Sequence, residues 1–201
     1  PGTYQESIEI TKPLSLYGAT YTSPKDNYTI PANDLFDETV ESIIIDPNPT
    51  VDHDATVLIQ NTNNVNFKGF VIQHFDANAS NIDALIYVYA KNNAMDNIDV
   101  SNNVVGPFTN TASQDGTHGR FGIILSGGNS AGNDMTNIDI HNNLVYKTEG
   151  NGSCIMAIGG YHYNTSITPS NMTGSTIRNN TVFGSHRCGI EIVSGIDGLT
   201  V

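Results

Sequence analysis

The sequence predicts an all-β fold, a solenoid in which each turn of the chain contributes three short strands. Three observations lead to this prediction. One eight-residue pattern recurs along the chain, a short apolar run precedes each copy, and the composition disfavours helices. The 201 residues include 25 Asn and 19 Gly, and both residue types are poor in helix interiors.

The recurring octet supplies two of the three strands. Its copies start 33, 40 and 37 residues apart, and irregular spacing around a constant pattern indicates a fixed coil that carries loops of variable length. The third and eighth positions are apolar in every copy, so we expect them to face the core. The copies are VNFKGFVI (65–72), IDVSNNVV (98–105), IDIHNNLV (138–145) and STIRNNTV (175–182).

The strand before each octet belongs to a further sheet, called the first sheet. We predict its strands at 56–60, 85–89, 121–125, 154–158 and 188–192. Alternation of side chains across a strand decides which residues face inward. The predicted inward pairs are Val57 and Ile59, Ile86 and Val88, Ile123 and Leu125, Met156 and Ile158, and Ile190 and Ile192.

An Asn-Asn pair separates the two strands of the octet. Asparagine tolerates the left-handed backbone conformation, and its amide bonds to nearby backbone groups. Stacked from turn to turn, Asn103, Asn143 and Asn180 are predicted to form a ladder of side-chain amides about 4.8 Å apart. Phe70 occupies this position in the earlier turn, so the ladder should begin after it.

Composition and charge exclude several classes of protein. The formal net charge is −12, whereas sequence-independent nucleic-acid binding requires a basic footprint. No apolar stretch approaches the roughly 18 residues of a membrane span.

Cys154 and Cys188 are not spaced like the ligands of a metal site. We expect them to stack as inward core thiols beside Phe121, since a disulfide between adjacent parallel strands needs special geometry.

Two motifs carry a resemblance to a known family. One is the segment PGTYQESIEITKPLSLYGA (1–19) followed by SIIIDP (42–47), and the other is the repeated x-I-x-N-N-x-V pattern. Together they resemble right-handed parallel β-helix proteins of the pectin-lyase-like superfamily. Within it, the chain is similar to carbohydrate-binding and sugar-hydrolase repeats and to disaggregatase-related archaeal surface modules. The resemblance implies a right-handed coil, an extracellular or cell-surface location and a polysaccharide groove along the first sheet. We interpret residues 1–201 as a single domain, incomplete at both ends, with flanking domains in a longer chain.

The outward positions of the first sheet are the predicted floor of this groove. One column contains Leu58, Tyr87, Ile124, Ala157 and Glu191, and its neighbour contains Gln60, Tyr89, Ser126, Gly159 and Val193. Glu191 is the one carboxylate expected on this face. Tyr87 and Tyr89 are expected to be exposed and to stack on sugar rings. The alternative is that loops 106–120 and 159–173 cover this apolar face.

The loops around the groove add titratable and aromatic side chains. The predicted catalytic residues are Glu191, Asp115, His118, Arg120, His186 and Arg187, and the predicted substrate-binding residues are Tyr87, Tyr89, Tyr161, His162 and Tyr163. Hydrolysis needs two carboxyl groups about 5–9.5 Å apart. Glu191 with Asp115, Glu149 or Asp83 could supply them. β-Elimination would instead use Arg120 or Arg187 to neutralise a uronate and His118, His186 or a tyrosine as base.

We therefore expect a polysaccharide-degrading domain, with hydrolysis favoured because the acidic chain suits a polyanion poorly. The alternative is a non-catalytic glycan-binding or structural β-helix module of a surface protein. No cofactor or zinc site is predicted. Asp99 and Asp139 align one turn apart outside the second sheet, where either a calcium ion or simple solvation would reduce their repulsion. The acidic segment with Asp46, Asp52 and Asp54 is interpreted as a solvated turn.

Overall fold

The computed structural model describes residues 1–46, 55–74, 84–108, 120–127, 133–148, 152–159, 169–193 and 195–201. Within these ranges the chain forms nineteen β-strands and no α-helix. None of these residues belongs to a helix long and apolar enough to cross a membrane. The all-β prediction is therefore confirmed.

In the first four coils the strands follow one another in sets of three, and in the last two coils the additional strands β15 and β19 are inserted. The first two coils contain β1 (Gly2–Gln5), β2 (Ile8–Ile10), β3 (Leu14–Tyr17), β4 (Ser42–Asp46), β5 (Ala55–Gln60) and β6 (Val65–Lys68). The next two contain β7 (Phe70–His74), β8 (Ala84–Tyr89), β9 (Met95–Ser101), β10 (Val104–Phe108), β11 (Phe121–Ser126) and β12 (Met135–His141). The remaining strands are β13 (Leu144–Tyr146), β14 (Ile155–Ile158), β15 (Ser170–Asn171), β16 (Thr176–Arg178), β17 (Thr181–Phe183), β18 (Ile190–Ile192) and β19 (Ile196–Asp197).

Equivalent strands of successive coils pair side by side and form three sheets. Sheet 1 has the order β2-β5-β8-β11-β14-β18, sheet 2 the order β3-β6-β9-β12-β16, and sheet 3 the order β1-β4-β7-β10-β13-β17. Strands β15 and β19 form a small fourth sheet. Every pairing is parallel. This arrangement is consistent with a parallel β-helix, and it confirms three short strands per turn.

The core runs along the coil axis between the three sheets. The third and eighth octet positions lie in it as predicted. Phe67, Val100, Ile140 and Ile177 stack in one row from sheet 2, and Ile72, Val105 and Val145 stack in another from sheet 3. Burying one such aliphatic side chain contributes about 1.5–3 kcal/mol, so the repeated rows hold the coils together.

The prediction for the inward face of sheet 1 is wrong at one strand. Ile123 pairs with Ile155 and Leu125 pairs with Ala157, so Ile155 and Ala157 face the core. Met156 and Ile158 lie on the outer face instead. A one-residue shift in register moves every side chain of a strand to the opposite face.

Both cysteines are free thiols, on neighbouring coils. The Cys154 N–H donates to the Cys188 carbonyl at 3.0 Å, and Cys154 is buried in the core. Burial raises the pKa of the Cys154 thiol to about 11, which makes it a poor nucleophile. The prediction that Phe121 lies beside Cys154 in the core is wrong, because the Phe121 ring packs on the outer face of sheet 1.

The two asparagines at each corner have different roles. The first one, Asn102, Asn142 or Asn179, adopts the left-handed conformation with φ of 59°, 54° and 53°. The second one points inward and forms side-chain hydrogen bonds. The Asn103 Nδ2 donates to Asn143 Oδ1 at 3.1 Å, and the Asn143 Nδ2 donates to Asn180 Oδ1 at 3.0 Å. Phe70 begins this column, and its backbone N–H donates to Asn103 Oδ1 at 3.0 Å.

Residues 19–41, here called the strap, cross the outer face of sheet 3. Tyr28, Ile30 and Phe36 of the strap pack on a row of apolar side chains from that sheet: Ile43, Val71, Val104, Leu144 and Tyr146. The sequence did not predict this segment's path. The segment 42–46 becomes β4 next to β1, so the strap connects β3 in the first coil to the start of the second.

Buried and partly buried polar contacts fix the strap. Lys25 Nζ lies 3.1 Å from Glu41 Oε1, with both side chains almost fully buried, and Thr20 Oγ1 donates to Glu41 Oε2 at 2.8 Å. Tyr28 Oη donates to Glu41 Oε1 at 3.1 Å. Burial and the Glu41 carboxylate together raise the pKa of Tyr28 to about 12. Further along, Asp34 accepts hydrogen bonds from Tyr146 at 3.1 Å and from Lys147 at 2.6 Å.

Candidate functional site

The outer face of sheet 1 carries a column of six paired residues. They are Glu9, Leu58, Tyr87, Ile124, Met156 and Glu191. Met156 stands where Ala157 was predicted, and Ile158 pairs with Ser126 where Gly159 was predicted. Glu191 is not the one carboxylate on this face, because Glu9 occupies the same column.

The two glutamates stand at opposite ends of the column and cannot work as a pair. Five strand spacings separate them, which is about 24 Å. A pair of glycosidase carboxyl groups requires roughly 5–9.5 Å. A second carboxyl group for Glu191 must therefore come from a loop rather than from this column.

The central tyrosines of sheet 1 are not exposed. Tyr87 is 0% and Tyr89 is 4% exposed, and their rings stack with centroids 4.8 Å apart. They form an apolar cluster with Leu58, Phe121 and Ile124. The prediction of open stacking platforms for sugar is wrong, and the alternative prediction of a covered face agrees with their burial.

Glu191 and Arg187 are two predicted catalytic residues that the structure brings together. Arg187 Nη2 lies 2.7 Å from Glu191 Oε1, and Ser153 Oγ donates to Glu191 Oε2 at 2.6 Å. The Glu191 side chain is only 12% exposed, whereas that of Arg187 is 56% exposed. Ser153 lies just before β14, so contacts from two adjacent coils hold the carboxylate. We call Ser153, Arg187 and Glu191 the Glu191 cluster.

The other described candidates differ in their surroundings. His186 is exposed and is the neighbour of Arg187 in the chain. Arg120 is buried, and its guanidinium carbon lies 5.9 Å from the centre of the Phe108 ring. The buried His74 ring also contacts Phe108, with the two ring centroids 5.1 Å apart. Arg120 is therefore not an open rim residue as predicted, and His74 is a buried titratable group that the sequence did not single out.

Several predicted residues lie outside the described ranges. They are Asp115, His118, Tyr161, His162 and Tyr163, together with the alternative carboxyl groups Asp83 and Glu149. Asp52 and Asp54 also lie outside them, as does the side chain of Asp46. Their roles stay predictions.

A second polar cluster lies on the outer face of sheet 2. Asp99 and Asp139 are paired in register as predicted, and basic side chains surround them. Lys68 Nζ lies 2.6 Å from Asp99 Oδ2, and Arg178 Nη2 lies 2.5 Å from Asp139 Oδ2. His141 Nε2 lies between the carboxylates, 3.4 Å from Asp99 and 3.6 Å from Asp139. Only the two aspartates were noticed in the sequence, although alternation along the same strands also places Lys68, His141 and Arg178 outward.

The electrostatics of this cluster favour ionised aspartates. Burial opposes the charge on Asp99, but hydrogen bonds from His141 and Lys68 outweigh it and lower its pKa to about 2. The basic neighbours screen the repulsion between the two carboxylates, for which a calcium ion and simple solvation were the two alternatives considered. Among the described residues, no group of three or more His, Cys, Asp or Glu side chains lies close enough to hold a metal ion.

Comparison of the chain with protein-family models, with curated proteins and with solved structures gives no significant match.

Proposed function

We propose that this chain is a right-handed parallel β-helix domain, similar to the pectin-lyase-like superfamily and built around an asparagine ladder. We propose further that it belongs to an extracellular or cell-surface protein and hydrolyses a polysaccharide. The observation that carries the catalytic proposal is the Glu191 cluster. It places a mostly buried carboxylate, an arginine and a serine at the outer face of sheet 1.

The contacts of Glu191 suit a base or a nucleophile. Both carboxylate oxygens are in contact with a polar group, since Ser153 Oγ donates a hydrogen bond to Oε2 at 2.6 Å and Arg187 Nη2 lies 2.7 Å from Oε1. Such fixed donors orient a carboxylate toward a reacting centre. The partner acid would come from Asp83, Asp115 or Glu149, at the separation that glycoside hydrolysis requires.

The contacts of the two candidate arginines favour hydrolysis over β-elimination. Elimination needs a cation that is free to neutralise the uronate carboxylate. Arg187 is in contact with Glu191, and Arg120 is buried against Phe108. The net charge of −12 also opposes the approach of a polyanion.

Digestion of a panel of polysaccharides tests the catalytic proposal. Reducing ends without ultraviolet absorbance from an unsaturated product indicate hydrolysis, and that absorbance indicates a lyase. In an active preparation, Glu191→Gln should lower the rate by a factor of about 10² or more. Glu9→Gln is the matched control, because it makes the same change in the same column about 24 Å away. Equal activity of Glu191→Gln and the wild-type chain would remove Glu191 from the mechanism.

The second candidate is a non-catalytic glycan-binding or structural module. The burial of Tyr87 and Tyr89 favours it, because these two aromatic side chains are not accessible to a sugar ring. Under this proposal the whole panel is left uncleaved, while glycan binding or assembly into a surface layer persists. Production of new reducing ends that Glu191→Gln abolishes would reject it.

A further inference from the structure

The outer face of sheet 2 differs from the other two outer faces because its outward residues are mostly polar and, apart from the buried Ser101, at least partly exposed. The strap packs on the face of sheet 3, and the face of sheet 1 is apolar and buried at its middle coils. On sheet 2, one outward column contains Tyr17, Lys68, Ser101, His141 and Arg178, and its neighbour contains Ser15, Asn66, Asp99, Asp139 and Thr176. We call these two columns the polar strip.

An exposed aromatic pair stands at one end of the polar strip. Tyr17 is 51% and Tyr21 is 44% exposed, and their ring centroids lie 4.9 Å apart. Tyr17 is the register partner of Lys68, so the pair adjoins the charged cluster. Because the two rings are in contact and both are exposed, they form one aromatic surface at this end of the polar strip.

The backbone around Tyr21 is held in place rather than left loose. Asn102 Nδ2 donates to the Tyr21 carbonyl at 2.6 Å. The chain at Tyr21 also lies directly against Gly69, where a Cβ atom would stand 2.3 Å from both the Tyr21 N and Cα atoms. Gly69 has a φ of 79°. The close approach that positions Tyr21 therefore depends on a glycine at this corner.

The polar strip offers the chemistry that recognises a neutral sugar chain. The weakly positive C–H groups on a face of a sugar ring match the negative face of an aromatic ring. Carboxylates accept hydrogen bonds from hydroxyl groups, while lysine, arginine and histidine side chains donate them. Lys68 and Arg178 are already in contact with Asp99 and Asp139, so the strip lacks the unpaired basic charge that would select a polyanion.

We propose that the polar strip binds a neutral glycan chain that lies along the coil axis, with Tyr17 and Tyr21 stacking on its sugar rings. Four strand spacings separate Tyr17 from Arg178, about 19 Å. This distance suits an oligosaccharide rather than a single sugar. The inference rests on the proposed action on polysaccharide but assigns binding to a different face from the Glu191 cluster.

Isothermal titration of the full chain with neutral hexasaccharides of glucose, mannose and xylose, and with hexagalacturonate, tests this proposal. We expect a neutral hexasaccharide to bind with an affinity that raised salt does not weaken. Tyr17→Ala and Tyr21→Ala should each weaken binding at least tenfold, and Tyr17→Phe should retain it because the ring remains. Tyr4→Ala is the control, since Tyr4 is similarly exposed but lies on β1 of sheet 3.

The outcomes separate this inference from the catalytic proposal. Loss of binding in the two alanine variants supports the inference even if no polysaccharide is cleaved. Unchanged binding in both alanine variants overturns it, and cleavage that still depends on Glu191 would then leave the catalytic proposal standing. Failure of the wild-type chain to bind any neutral probe, or a preference for hexagalacturonate that salt abolishes, also overturns it.

Discussion

The side-chain oxygen of Asn143 accepts two hydrogen bonds from Asn103, one from its backbone N–H at 3.0 Å and one from its Nδ2 at 3.1 Å. Both residues are fully buried. The Asn143 Nδ2 in turn donates to the Val100 carbonyl and to Asn180 Oδ1, each at 3.0 Å. One side chain therefore satisfies polar groups of the two neighbouring coils and links three successive coils.

Asn143→Ala is expected to lower the free energy of unfolding by about 2–4 kcal/mol. It leaves the two Asn103 donors and the Val100 carbonyl buried without this partner, and each unsatisfied group costs about 1–3 kcal/mol before relaxation. Urea unfolding followed by circular dichroism measures the change. Asn66→Ala, on the outer face of sheet 2, is the control and should stay within about 0.5 kcal/mol. Equal effects of the two substitutions would contradict a structural role for Asn143.

The stability effect of substituting Asn142 should depend on whether the new residue tolerates a left-handed backbone, rather than on the loss of the side-chain amide. Its φ of 54° lies in the left-handed region, which costs a residue with a Cβ atom about 1–2 kcal/mol. We expect Asn142→Gly to be nearly neutral and Asn142→Val to destabilise by about 2 kcal/mol, both measured by thermal unfolding. Asn66→Val lies in an extended strand and should be tolerated. If Asn142→Val unfolds at the same temperature as the wild-type chain, the expected backbone strain is contradicted and the corner must change its conformation.

Asp99 makes stability depend on pH in the acid range. Its pKa is about 2 in the folded chain against an ordinary aspartate value of 3.8, so the unfolded chain binds the proton more tightly. The stabilisation is present above pH 3.8 and is lost as the pH falls toward 2. We expect Asp99→Asn to be less stable than the wild-type chain at neutral pH and to lose less stability over this range. Parallel pH dependence of the two chains in urea titrations would contradict this assignment.

Glu41 anchors the strap through a buried ion pair. Removing it leaves the Lys25 ammonium group buried without its carboxylate, a change that typically costs about 3–5 kcal/mol. Glu41→Ala should therefore destabilise strongly in chemical denaturation. Glu38→Ala is the matched control, because the exposed Glu38 carboxylate only accepts a hydrogen bond from Thr3, and it should change stability by less than about 0.5 kcal/mol.

The parts of the fold that could be predicted are those where side-chain alternation is clear. The octets alternate between polar and apolar residues, which defines their inward face and fixes Val100, Ile140 and Ile177 in the core. The strand at 154–158 has no polar residue to show which of its side chains face outward, so its orientation follows only from its pairing with β11. The path of the strap could not be predicted, because its contacts join residues more than 100 positions apart, such as Asp34 and Tyr146.

The candidate site was predictable in its residue types but only partly in its geometry. Strand and loop positions placed Glu191 and Arg187 near one sheet, and they are in contact. Exposure could not be inferred in the same way, because burial of Tyr87 depends on what lies above the sheet. On sheet 2 the alignment of Asp99 with Asp139 could be predicted. Their contacts with Lys68, His141 and Arg178 could not, because strand position does not determine how far a long side chain reaches across the sheet.

The strap also determines how this molecule is expected to come apart. In a solenoid each coil touches only its neighbours, so the ends usually fray one coil at a time. Here the Lys25 N–H donates to the Asn142 carbonyl at 3.0 Å, and the Asp26 carbonyl accepts a hydrogen bond from the Thr181 hydroxyl. The strap, which leaves the first coil, thus runs along the outside of the coils and forms a hydrogen bond with β17 at the far end of sheet 3. Opening at either end must break contacts at the other, which couples the local stabilities of distant coils into one cooperative unit.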